Sequence, residues 1–126
     1  MKSIRRALVL LSLAVVGCAP FPSSDEMARA DYGTYPANYE AIVKGYFETT
    51  LKDPSSAQYR SVSPARQMAL FTRFGERHYG YLTCVTYNAK NSFGAYTGYH
   101  TDGVLIRNGY VETYLPRGQW FGHQMC

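Results

Sequence analysis

The sequence predicts a two-layer α+β fold: one N-terminal helix packed on a four- to five-stranded antiparallel sheet, in a single domain over residues 36–126. Three observations carry this: one segment with helical period, a series of later segments with strand period, and an Asn-Gly pair between the last two of them. A lone helix followed by antiparallel strands buries its apolar stripe most simply against one face of the sheet. With 126 residues and a leader to subtract, a second domain does not fit.

The helix is expected over Asn38 to Lys52. Tyr39, Ile42, Val43, Tyr46, Phe47 and Leu51 recur at three- and four-residue intervals on one face. Glu40/Lys44 and Glu48/Lys52 form i,i+4 pairs on the other. Asn38 is the N-cap candidate, and Asp53-Pro54 ends the helix because a residue before proline is pushed out of the α region. The aromatic stripe reads as core packing against the sheet rather than a ligand site.

Strands are expected at Gln58–Val62, Gln67–Phe74, His78–Tyr87, Tyr99–Arg107 and Tyr110–Leu115. Asn108-Gly109 fits a two-residue type I′ turn, which needs positive φ at both positions. That turn pairs Arg107 with Tyr110, Ile106 with Val111, Leu105 with Glu112, Val104 with Thr113 and Gly103 with Tyr114. Val104, Ile106, Val111 and Leu115 then face the helix, while Tyr110, Tyr114, Leu105, Glu112 and Arg107 form a half-wet aromatic face.

Residues 1–17 have the three zones of an export signal: Lys2, Arg5 and Arg6, then an apolar stretch from Ala7 to Val16 too short to span a bilayer permanently, then small residues. Val15-Val16-Gly17-Cys18 resembles the bacterial lipobox, so by that resemblance Cys18 carries a lipid anchor and 1–17 is a lipoprotein signal peptide. Ala19 stands where aspartate commonly marks inner-membrane retention in that class. The resemblance therefore implies the cell envelope, with the outer membrane favoured and the domain on its periplasmic face. Residues 18–35 hold Pro20, Pro22, Gly33, two serines and four charges without a period, and read as a flexible tether.

Composition removes one class of partner. Cleavage takes away three of thirteen Lys+Arg, leaving ten against nine Asp+Glu, or about +1. That near balance, without clustering, argues against nucleic acid. All twelve tyrosines lie in the mature chain.

The stretches Lys52-Asp53-Pro54-Ser55-Ser56-Ala57-Gln58-Tyr59-Arg60, Cys84, and Asn88 through Tyr99 resemble a group of small, uncharacterised bacterial envelope lipoproteins. The resemblance supports the fold and implies no activity.

Little points to chemistry. His78, His100 and His123 lack zinc-like spacing to one another or to cysteine, and no metal or cofactor is expected. No glycine-rich loop precedes a helix, and no serine sits in a nucleophile elbow. Asp102 is the one carboxylate in a core-facing row, placed opposite Leu115 at its frayed end and read as solvated or loop-bonded. Cys84 and Cys126 are left after lipidation; in an oxidising compartment they are expected to pair, the alternative being a buried Cys84 and a free terminal thiol.

The ten-residue connection Ala89–Gly98 exceeds a usual hairpin loop, and long loops on a rigid sheet concentrate binding residues. Asn88, Lys90, Asn91, Phe93, Tyr96 and Tyr99, with Tyr110 and Tyr114, are the candidate binding residues; the alternative is a loop packing its aromatics over the sheet edge. The functional expectation is a membrane-anchored, non-catalytic envelope lipoprotein that binds another envelope component or serves as an accessory subunit of an outer-membrane or secretion assembly. Two alternatives stand beside it: a periplasmic ligand-binding or enzyme-inhibitor module using the loop, and a cell-wall enzyme.

Overall fold

The structure is a computed structural model describing residue 17 and residues 21–126; Cys18 and residues 1–16, on which the anchoring expectation rests, lie outside the described residues. Two helices come first. In α1 (Ser24–Arg29) the Ser23 hydroxyl accepts the Glu26 N–H at 3.1 Å, with Asp25 and Glu26 in the first turn and Arg29 in the last. This agrees with the helix dipole at both ends. In α2 (Tyr39–Thr50) Val43 and Phe47 are buried, as the apolar stripe requires. Asn38 is the N-cap by position but makes no side-chain cap bond. Glu40 and Lys44 pair at 3.7 Å. Leu51 already has extended backbone, so Lys52 leaves the helical position from which it would meet Glu48. Among the described residues no helix is long and apolar enough to cross a membrane.

Five strands form one antiparallel sheet: β1 (Gln58–Val62), β2 (Arg66–Phe71), β3 (Arg77–Asn88), β4 (His100–Arg107) and β5 (Tyr110–Leu115). The order is β1-β3-β4-β5, and β2 also pairs with β3. β1 takes the second half of β3 and β2 the first half, so the two share one edge. A short hairpin not expected from the sequence, β6 (Gln119–Trp120) with β7 (His123–Gln124), ends the chain.

Asn108 and Gly109 have φ of 49° and 81°, the two positive values a type I′ turn demands. Arg107 pairs with Tyr110 and Ile106 with Val111 as expected, but a bulge then skips Glu112. Leu105 consequently opposes Thr113, Val104 opposes Tyr114 and Gly103 opposes Leu115. An extra residue in one strand moves every later side chain to the other face. Two assignments are thereby corrected: Leu115 leaves the helix side, and Tyr114 joins it.

The sheet has a core on each face. Under α2, Val43 and Phe47 meet Val85, Tyr87, Val104 and Ile106, with Tyr114 packed against them. On the opposite face Leu70, Leu82, Leu105 and Leu115 meet Trp120, Met125 and the Cys84–Cys126 disulfide. Leu105, assigned to a half-wet face, is fully buried because the C-terminal segment covers that side.

Residues 21–35, expected as a flexible tether, instead carry α1 and rest on the sheet. Phe21, Tyr32 and Tyr35 meet Phe71, Tyr79 and Tyr81 edge-to-face, at 5.4, 5.4 and 5.3 Å between centroids. Each such pair contributes about 0.5–1.5 kcal/mol beyond its buried area. Arg77 reaches Glu26 at 3.2 Å, and Arg107 reaches Asp31 at 3.0 Å.

Candidate functional site

The bulge at Glu112 has a polar counterpart. By turning Tyr114 inward it brings a phenol to Asp102, which is 2% exposed and sits opposite Val85 on β3, not opposite Leu115. Asp102 Oδ2 accepts the hydroxyls of Tyr87, at 2.7 Å, and Tyr114. Its Oδ1 accepts the Arg117 N–H at 2.8 Å, tying the turn after β5 to the sheet. His100 Nε2 stands 3.5 Å from Oδ2. The carboxylate is therefore buried and bonded to the turn rather than solvated. Burial, and then hydrogen bonding to Asp102, hold both Tyr87 and Tyr114 well above the ordinary phenol range. A phenol so held keeps its proton at neutral pH, and both carboxylate oxygens are occupied. The cluster is built to fasten β4, β5 and the following turn together.

The 89–98 loop is built from its own hydrogen bonds. Asn91 Oδ1 accepts the N–H groups of Phe93 and Ala95 at 2.9 and 3.2 Å, and Asn91 N–H donates to the Ala95 carbonyl at 2.9 Å. Asn88 is buried and closes the base, accepting the Gly98 N–H at 3.1 Å. Ser56 anchors one side: its hydroxyl accepts the Lys90 N–H at 2.8 Å and its carbonyl accepts the Tyr96 hydroxyl at 3.0 Å. Lys90 Nζ lies 5.5 Å over the Tyr96 ring, and the Arg60 guanidinium 3.7 Å over Tyr99. Tyr96 thus folds back toward the sheet edge, whereas Phe93 at the tip is 94% exposed.

The candidate binding residues therefore separate. Asn88, Lys90, Asn91, Phe93, Tyr96 and Tyr99 gather at the loop. Tyr114 is under α2. Tyr110, 79% exposed, lies beside the Asn108-Gly109 turn at the far end of eight-residue β4, about 24 Å along the strand from the loop.

A second surface escaped sequence reasoning. A groove of about 600 Å³ runs beside β2, whose outer edge carries no strand among the described residues. Phe21, Leu70, Phe71, Trp120, Phe121 and Met125 line it, together with Arg73 and His123. Trp120 is fixed there by an indole N–H to Phe71 carbonyl bond of 2.9 Å. The sequence signal was the aromatic pair Trp120-Phe121 before Gly122, but nothing local shows that the C-terminus returns to β2.

Among the described residues no three His, Cys, Asp or Glu side chains gather so as to hold a metal ion. No protein-family model matches the chain, and no curated protein or solved structure does either.

Proposed function

We propose that the chain is a membrane-anchored, non-catalytic lipoprotein of the cell envelope whose 89–98 loop binds another envelope component. The observation that carries the reading is the loop itself: Asn88, Asn91 and Ser56 hold it in one shape while Phe93 projects from its tip 94% exposed. Its ordering cost is met within the fold, so an aromatic anchor is presented pre-organised. The lipobox pattern ending at Cys18 supports the membrane anchor. The occupied oxygens of Asp102 and the raised tyrosines beside it support a structural rather than catalytic use of the buried carboxylate.

The test is affinity purification of the detergent-solubilised, lipidated full chain from envelope extracts. A stoichiometric envelope partner is expected, lost with Phe93→Asp and kept with Tyr110→Asp at the other end of the sheet. Equal recovery of that partner with both variants, or no partner at all, contradicts the reading.

A further inference from the structure

The groove beside β2 is an exposed apolar feature that the proposed loop function leaves unused. Its position relative to the chain's start suggests what covers it. Phe21 forms one wall, its ring 5.4 Å from Phe71. Cys18 is three residues earlier in the chain, so it lies within about 11 Å of Phe21. That short tether limits how far a lipid on Cys18 could be from the groove.

The chemistry of the groove agrees with a lipid surface. Phe21 and Phe121 are 53% and 63% exposed at its mouth, and Trp120 contributes the amphipathic ring favoured at the headgroup level. Its charged and titratable lining is Arg73 and His123, with no carboxylate, which suits anionic headgroups. Phe74, 77% exposed, follows Arg73 in the β2–β3 turn and extends the aromatic fringe.

We propose that this groove and its aromatic rim are a bilayer-docking surface, seated on the leaflet that receives the Cys18 lipid. The inference rests on the lipid-anchor reading above and adds an orientation to it. β3 runs twelve residues from this end to the base of the 89–98 loop, about 35 Å. Docking therefore points the loop away from the membrane, toward a partner across the gap. The lipid anchor tethers the chain to its leaflet, and contact of the groove with the lipid surface fixes how the domain sits on it.

Trp120 is the one tryptophan in the chain and lines the groove, so its fluorescence reads occupancy directly. The lipidated protein is reconstituted in vesicles of phosphatidylethanolamine with a minority of phosphatidylglycerol, with and without lipids brominated on their acyl chains. Intact mass of the same preparation reports whether Cys18 carries lipid. The docked state predicts that brominated lipid removes more than half of the Trp120 emission and that vesicles shield Trp120 from acrylamide. Phe121→Asp and Arg73→Glu should restore the emission while the protein stays vesicle-bound. Phe121 has a φ of 45°, a conformation aspartate tolerates better than phenylalanine, so that variant keeps its turn. A lipidated, vesicle-bound protein whose Trp120 is untouched by brominated lipid overturns docking and leaves the anchor standing. Shielding from acrylamide without bromine quenching overturns it too, in favour of a protein segment or the chain's own acyl group in the groove. A mass without lipid overturns both proposals.

Discussion

Replacing Tyr114 by phenylalanine removes one hydroxyl while keeping the ring that packs 5.9 Å from Tyr46 and 6.4 Å from Phe47. What is lost is a hydrogen bond to a buried carboxylate, a class that contributes about 1.5–3 kcal/mol. Asp102 keeps its bonds from Tyr87 and from Arg117 N–H, which limits the penalty of leaving the charge under-solvated. The expected loss is about 2 kcal/mol. Urea unfolding of the oxidised protein reads this as a midpoint lower by about 1 M, with the slope unchanged. Glu112→Val is the control: its carboxylate sits in the bulge, half-exposed, 3.2 Å from His78, and its loss should cost about 0.5 kcal/mol or less. If Tyr114→Phe is neutral, the strand has no bulge, Tyr114 faces outward and the Asp102 cluster does not exist as described.

Three further outcomes follow from the same contacts. Folding raises the Tyr87 and Tyr114 pKa values above the ordinary 10.0, so the folded state keeps protons that the unfolded chain releases. Stability from these groups is fully present below about pH 10 and falls as pH rises past it; urea midpoints measured from about pH 8 to 11 should decline, and less steeply in the Tyr87→Phe/Tyr114→Phe double variant. Gly118 has a φ of 65°, and an added Cβ there would lie 2.5 Å from Cys126 Cβ. Gly118→Ala should therefore expose free thiol at Cys84 and Cys126 in alkylation assays, and full oxidation in that variant contradicts the packing. Reducing the Cys84–Cys126 bond, which spans 42 residues, should lower stability by about 4 kcal/mol by the chain-entropy relation, read as a shift in urea midpoint.

The elements were legible where periodicity is strong and local. α2 shows a helical stripe, and β1 and β5 have the expected bounds because alternation and flanking turn residues mark them. The Asn108-Gly109 turn was legible because few residue pairs tolerate two positive φ values. The Glu112 bulge was not, since one extra residue leaves no compositional trace, and it alone reversed Tyr114 and Leu115. The second core has one sign in the sequence: Val104-Leu105-Ile106 is a continuous apolar run, which marks a strand buried on both faces. The packing of residues 21–35 was hidden because Phe21, Tyr32 and Tyr35 follow no period, each meeting a different sheet aromatic. The Ser23-Ser24-Asp25-Glu26 sequence was the available cue to α1, as an N-cap serine with an acidic residue three positions on. At the loop, composition found the right residues but not their division of labour. Only three-dimensional contacts separate Asn88 and Asn91, which shape the loop, from Phe93, which it presents.

The membrane anchor is the premise of both proposals, and metabolic labelling with palmitate in a Gram-negative cell tests it most directly. The full-length chain should incorporate label and fractionate with membranes, and Cys18→Ser should lose the label and appear as unprocessed precursor or soluble protein. A Cys18→Ser chain that still takes up palmitate and partitions wholly with membranes would contradict the anchor at Cys18, and with it the orientation assigned to the groove and the loop.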